Sequence, residues 1–316
     1  MILTITLNPS VDRTIAVDAL RRGEVHRATS GRVDPGGKGI NVARALTAHG
    51  VKATAVVVLG GAEGEQLAGL LAEAGIEVVG VPVQGSIRSN VTVVEPDGTT
   101  TKLNEPGPAL SPQEVSALLD AVAEHARDAE WVVVSGRLPP GADGDLYARM
   151  TRLAASAGAR VALDTSGPAL AAGVVAGPAL VKPNAEELVE LVGRPLPEVD
   201  DVVAACREVL AAGAGAVLAS LGADGAVLVE RDGADVTVLH ARGPQVHPVS
   251  SVGAGDALLA GFLAAGGSGR TALAEAVAWG TAAVSLPGSR MPEPADVRPD
   301  LVVVEARPDR RMPAAG

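Results

Sequence analysis

Aromatic side chains are scarce: two Trp, one Tyr and one Phe make up 1% of 316 residues. A core therefore has to be assembled from Val, Leu and Ala, and an apolar content of 47% supplies enough of them. Cysteine is nearly absent. The lone Cys206 excludes an internal disulfide and fits a reducing compartment. No run of about 18 apolar residues escapes interruption by Gly, Pro or charge, which argues against a membrane-spanning helix. The first residues, MILTITLNPSVDR, lack the charged-then-apolar layout of a secretory signal, so a cytoplasmic protein without membrane contact is expected. Positive charge is short as well. Lys and Arg total 26 against 37 Asp and Glu, a net charge of −11, and nucleic-acid binding needs the opposite balance. A local basic pocket for a small phosphorylated molecule remains compatible with an acidic whole.

What is present is alternation. Val-rich runs at 2–7, 52–59, 131–135, 160–163, 179–181 and 216–220 read as buried strands. Segments at 40–49, 64–74, 112–127, 144–157, 184–192 and 199–212 read as helices. The pattern predicts an α/β fold: a mainly parallel sheet covered on both faces, with its ligand-binding loops along one edge. Two stretches depart from it. Residues 13–17 with 25–33, and 90–95 with 99–104, read as strand pairs without helices, the second closed by Pro96-Asp97-Gly98. They form either a lid that leaves the main sheet or an ordinary edge hairpin. Past Gly288 the chain is rich in Pro, Arg and Asp, and a short strand at 301–304 with a disordered tail is expected. The expected organisation is one domain over 1–288, with lid strands inserted at about 11–34 and 88–105, then a C-terminal strand and tail over 289–316.

Four local motifs carry chemistry. Ser251-Val252-Gly253-Ala254-Gly255-Asp256 precedes an apolar helical run. A glycine turn at a helix start offers free N–H groups and the positive end of the helix dipole to an anion. Asp256 at that spot can take a proton from an attacking hydroxyl, or simply cap the helix. In Pro35-Gly36-Gly37-Lys38-Gly39-Ile40-Asn41, two glycines let a ligand meet bare backbone, and Lys38 and Asn41 stand beside them. This is no Walker A loop, because Arg32 replaces its first Gly and Gly39 its Ser/Thr. In Lys182-Pro183-Asn184-Ala185-Glu186-Glu187, Asn184 and Glu187 share a helix face. That pair suits Mg²⁺, and it equally suits a capping box. Ser220-Leu221-Gly222-Ala223-Asp224-Gly225 ends a strand and opens a hairpin, a place for ATP phosphates or ribose, or only a turn.

Taken in order, NPSVD, GGKGINVAR, SG-x-LPPG, KPN-x-x-E, SLG-x-x-G and VGAGD-x-x-x-AG resemble the ribokinase-like (PfkB) carbohydrate kinases over about residues 2–288. Asn8-Pro9-Ser10-Val11-Asp12, Lys38 and the stretch 101–107 (TKLNEPG) are similar to the group acting on fructose 1-phosphate and tagatose 6-phosphate. The resemblance implies a three-layer sandwich with a small β lid, and an enzyme that uses ATP and Mg²⁺. It implies Asp256 as base, with the amides of Gly253, Ala254 and Gly255 as an anion hole, and phosphoryl transfer asks for little more than such alignment and charge stabilisation. It implies Lys182, Asn184, Ser220, Gly222, Gly225 and Ser285 on the nucleotide, with Glu187 and Asn184 on the metal. Asp12, Gly36, Gly37, Lys38, Asn41 and Asn104 would line the sugar site, and Arg88 would meet the substrate's own phosphate, where Arg27 and Lys102 are further candidates.

Three residues depart from the pattern: Arg137 within SG-x-LPPG, Thr92 where a lysine is common, and Ala257 after GAGD. They bear on substrate identity rather than on reaction type. The expected reaction is phosphorylation of fructose 1-phosphate at its 6-hydroxyl. Tagatose-6-phosphate or fructose-6-phosphate kinase activity is the alternative, and a non-catalytic sugar-phosphate sensor is the reading from another class. A homodimer that covers the lid is also expected.

Overall fold

A computed structural model of the chain describes residues 1–233 and 235–306. Among these, ten strands form one sheet. Their spatial order is β14 (Val303–Ala306), β13 (Asp235–Arg242), β12 (Ala226–Asp232), β11 (Ala216–Ser220), β10 (Leu180–Val181), β9 (Arg160–Asp164), β8 (Trp131–Ser135), β1 (Ile2–Thr6), β4 (Ala53–Leu59) and β5 (Glu77–Pro82). From β11 to β5 every neighbouring pair is parallel, while β12, β13 and β14 extend one edge antiparallel. β1 and β8 are buried at every position, as strands covered on both faces must be.

Chain order and sheet order together place the helices. From β1 the sheet grows outward to β4 and β5, then restarts at β8 on the other side of β1 and grows the opposite way to β11. Right-handed crossovers put α1 (Lys38–Ala48) and α2 (Gly61–Glu73) on one face. They put α3 (Pro112–Ala126), α4 (Leu146–Ser156), α5 (Gly167–Val175), α6 (Ala185–Val192) and α7 (Val199–Ala212) on the other. α8 (Ala254–Ala264) packs between α1 and α9 (Gly269–Val284), and α9 lies over β12 to β14. The result is the expected three-layer sandwich. Growth reverses between β1 and β8, the position where open sheets leave a crevice for ligands. The core is built from Val, Leu and Ala as composition requires, and Trp131, Tyr147, Phe262 and Trp279 are all buried in it.

A second sheet, in the order β3 (Ser30–Gly36), β2 (Ser10–Ala16), β6 (Arg88–Val94) and β7 (Thr100–Leu103), stands apart from the first. The extra strands are therefore a lid rather than an edge hairpin. The hairpin between β6 and β7 closes at Gly98, whose N–H donates to Glu95 O at 2.9 Å. The partner of β2 differs from expectation: it spans Ser30–Gly36 instead of 25–33, and β2 and β6 join in parallel. The β3 sequence SGRVDPG has almost no apolar alternation, so periodicity cannot find it. β5 and α5 were not expected either; GPALAAGVV is apolar nearly throughout and carries no helical stripe. The C-terminal strand falls at Val303–Ala306, two residues past the expected 301–304, because it pairs there with β13. The tail expected beyond it lies outside the described residues. No helix of the described residues is long and apolar enough to cross a membrane.

Candidate active site

The crevice between β1 and β8 is built by two helix starts. α1 begins after Gly37, whose φ of 128° only glycine adopts readily. A Cβ there would lie 2.7 Å from Thr6 Cγ2. α8 begins after Gly253, with φ 79°. Packing of α1 on α8 joins residues 215 positions apart: Asn41 Nδ2 donates to Asp256 Oδ2 at 2.8 Å. Asp256 is 7% exposed, and burial pushes its carboxyl up to about 6, with Asp164 adding to the rise. Lys38, the Asn41 hydrogen bond and Lys182 pull the other way. The carboxyl sits in the first turn of α8 with Ala254 and Gly255, where amides lack intrahelical acceptors and the dipole is positive. Gly255 leaves room for Lys182, since a Cβ would approach its Nζ to 3.4 Å.

Asp164, which the sequence motifs do not single out, ends β9 fully buried beneath these groups. Its Oδ1 accepts from Lys38 Nζ at 2.7 Å, and Lys182 Nζ lies 3.2 Å from its Oδ2. Burial acts to raise the Asp164 pKa, but Lys182 and Lys38 outweigh it and hold the carboxyl low. Lys38 Nζ is also 3.6 Å from Glu187 Oε1. Burial acts to lower the Lys38 pKa, and Asp164, Glu187 and Asp256 together raise it instead. Lys38, expected on the sugar side, thus points its ammonium toward the segment that carries Glu187. The one sequence signal for Asp164 is a charged residue closing the Val-rich strand RVALD at the sheet's carboxyl edge.

Asn184 and Glu187 do form a capping box at the start of α6: Glu187 N donates to Asn184 Oδ1 at 2.8 Å, and Asn184 N to Glu187 Oε2 at 2.9 Å. Glu187 Oε1 is left facing Lys38 across the site. Among the described residues no three His, Cys, Asp or Glu converge as a closed metal cluster. The Glu187 oxygen left outside the capping box, 3.6 Å from Lys38, fits Mg²⁺ held through water, since that ion keeps several waters and takes few protein ligands. Asn184 bridges Ser220 in parallel, so the loops after β10 and β11 lie side by side. Gly222 (φ 60°) and Gly225 (φ 82°) turn the chain into β12, and a Cβ on Gly225 would collide with the Ala241 carbonyl. Ser285 ends α9, exposed, and lines a cavity of about 240 Å³ with Val246, Ala278, Thr281 and Leu286.

The lid supplies the other wall. Asp12 Oδ1 accepts from Ser10 Oγ at 2.7 Å and from Asn90 Nδ2 at 2.9 Å, and a Cβ on Gly36 would sit 2.6 Å from Asp12 Cγ. Arg88 Nε donates to Asn8 O at 3.2 Å. Burial lowers the Arg88 pKa, Asp12 opposes that, and Arg137 adds to it, so Arg137 shares this neighbourhood. Asn104 lies exposed just beyond β7. The structure therefore gathers Asp256, Asn41, Lys38, Lys182 and Glu187 around Asp164, sets Asp12, Gly36 and Arg88 on the lid wall, and leaves Asn104 and Ser285 at the periphery.

The chain is similar to known proteins in sequence and in fold. A 1-phosphofructokinase of Xanthomonas campestris pv. campestris is 43% identical over 83% of this chain and 83% of its own length. The ATP-dependent 6-phosphofructokinase isozyme 2 of Escherichia coli is 38% identical over 92% and 94%. The crystal structure of phosphofructokinase-2 from Escherichia coli in complex with potassium superposes with a TM-score of 0.87 at 36% identity, covering 93% of this chain and 96% of that one. Residues 5–296 match the model of the pfkB family carbohydrate kinases. Family match, sheet order and the buried carboxylate at the start of α8 agree: the chain belongs to the pfkB family of carbohydrate kinases.

Proposed function

We propose that this kinase transfers the γ-phosphoryl group of ATP to the 6-hydroxyl of fructose 1-phosphate, giving fructose 1,6-bisphosphate and ADP. The observation that carries it is the Asp256 carboxylate, buried at a helix start and held by Asn41 at 2.8 Å. In the reaction the hydroxyl oxygen bonds to the γ phosphorus while the bond to the β–γ bridging oxygen breaks and its electrons leave with ADP. The hydroxyl proton passes to Asp256. Amides of Gly253, Ala254 and Gly255 face the moving phosphoryl group, a pre-aimed set of donors that needs no reorganisation. Lys182 meets nucleotide phosphate, and Ser220, Gly222, Gly225 and Ser285 seat the nucleotide. Mg²⁺, when bound, neutralises phosphate charge, and Glu187 with Asn184 would hold it, partly through water.

Asp12, Gly36, Gly37 and Asn41 receive the sugar, Asn104 closes over it, and Arg88 with Arg137 grips the 1-phosphate as paired guanidiniums do. Lid closure excludes water and suppresses idle ATP hydrolysis. This reading treats residues 1–288 as one kinase domain with the lid inserted. It also places the enzyme in the cytoplasm, where ATP is supplied. Leu103 on the lid is 62% exposed, and a second copy covering the lid edge would bury it. Sedimentation at micromolar concentration tests that dimer, and a monomer rejects it.

Relatives named 6-phosphofructokinase favour a second reading, transfer to the 1-hydroxyl of fructose 6-phosphate with the same base. An ADP-release assay over fructose 1-phosphate, fructose 6-phosphate, tagatose 6-phosphate and unphosphorylated fructose separates them by kcat/KM. Fructose 1-phosphate is expected to lead. Preference for the unphosphorylated sugar would reject both readings.

A further inference from the structure

The bond between Asn41 and Asp256 depends on which way one amide points. A primary amide presents NH₂ on one side and oxygen on the other at nearly equal size, so packing alone does not orient it. Arg44, which closes the GGKGINVAR motif, does. It lies three residues on in α1, on the same helix face, with its Nη1 3.2 Å from Asn41 Oδ1. A guanidinium only donates, so it can face only the amide oxygen. The NH₂ is thereby turned toward Asp256. Nη1 also lies 3.1 Å from Ser289 O and 3.4 Å from Pro35 O, contacts that clamp it between the segment after α9 and lid strand β3. Burial lowers the Arg44 pKa, Asp34 and Asp12 oppose this, and Arg32 adds to it.

We propose that Arg44 is a positioning residue for phosphoryl transfer: it locks the Asn41 amide so that its NH₂ holds the Asp256 carboxylate in place at the start of α8. The proposal rests on the reading of Asp256 as the base. With the amide reversed, Asn41 Oδ1 would face the carboxylate, acceptor against acceptor. Asp256 would then protonate more readily and lose its fixed direction. The other charged groups that bear on Asp256 are Asp164 from β9, Lys38 from α1 and Lys182 after β10, and none of them changes when Arg44 is replaced.

The test compares wild type with Arg44→Met and Arg44→Lys, with melting curves to confirm folding. In Arg44→Met, kcat should fall about tenfold to a hundredfold while KM for ATP moves less than about threefold. The acid limb of the kcat profile should rise by about one pH unit, because a hydrogen bond that favours the charged carboxylate is gone. In ligand-free protein the ¹³C-carboxylate signal of Asp256, assigned by its loss in Asp256→Asn, should titrate higher by a similar amount. Arg44→Lys keeps the charge, but its stem ends one bond short of the position Nη1 occupies between Asn41 Oδ1 and the two carbonyls, so an intermediate loss is expected. In an Asn41→Ala background, Arg44→Met should add nothing. Wild-type kcat and Asp256 titration in folded Arg44→Met would overturn the proposal, and so would a full further loss on top of Asn41→Ala. If Arg44→Met does not fold, wild-type behaviour of Arg44→Lys overturns it. No turnover of any sugar phosphate by wild type would sink the kinase reading instead, and the Asp256 titration would then decide the Arg44 link alone.

Discussion

Replacing Asp256 by Asn should make the protein inactive and more stable at once. Asn keeps the shape and can still accept the Asn41 hydrogen bond, but it cannot take up a proton. General-base removal costs about 10²- to 10⁴-fold in kcat, so turnover should drop by at least a hundredfold while binding of both substrates persists. The stability change follows from linkage. In the folded protein the carboxyl rises from 3.8 to about 6, chiefly through burial. A raised folded pKa favours the protonated, neutral form. Stability from this group is thus fully present below 3.8 and is lost as pH climbs through about 6. At about 1.4 kcal/mol per unit, the ionised carboxylate costs of order 3 kcal/mol at pH 8. Neutral Asn escapes that cost. Urea unfolding of ligand-free protein should show Asp256→Asn more stable by up to about 3 kcal/mol at pH 8, with the gap closing toward pH 4. Turnover within tenfold of wild type would refute the catalytic role, and a gap that does not change with pH would refute the electrostatic account.

Other variants probe separate parts of the site. Arg88→Ala removes a charge-assisted grip worth about 1.5–3 kcal/mol; KM for the sugar phosphate should rise roughly tenfold or more in steady-state assays, with KM for ATP unchanged. Glu187→Gln keeps the capping box, since Gln also serves at that position. Its melting point should therefore hold while the Mg²⁺ concentration for half-maximal rate rises severalfold. Asp164→Asn strands Lys182, whose side chain is 4% exposed, without its buried partner. Denaturant titration should show a loss of about 3–5 kcal/mol, and a loss below about 1 kcal/mol would mean that water enters to replace the carboxylate.

Local rules carried much of this protein. The strand and helix alternation, the glycine turns before α1 and α8, the capping box at Asn184 and the hairpin at Gly98 are all written within a few residues of themselves. Backbone dihedrals and capping are short-range, so neighbours in sequence suffice to show them. Asp256 was legible for the same reason, as an acidic residue set after two glycines at a helix start. The β3 strand was not, because SGRVDPG earns its place by pairing with β2 rather than by its own periodicity.

Which side chains meet is another matter. Asp164 joins Lys38, 126 residues before it, to Lys182. Asn41 reaches Asp256 across 215 residues. Neither meeting has a local signature. The first follows from the reversal of sheet growth between β1 and β8, which brings the carboxyl ends of strands distant in sequence to one crevice, and the second from the packing of α8 on α1. The sequence determined the residues available for chemistry and the turns that present them. Only the tertiary structure decided their partners, and through burial and those partners, which carboxyl is held low and which is poised to take a proton.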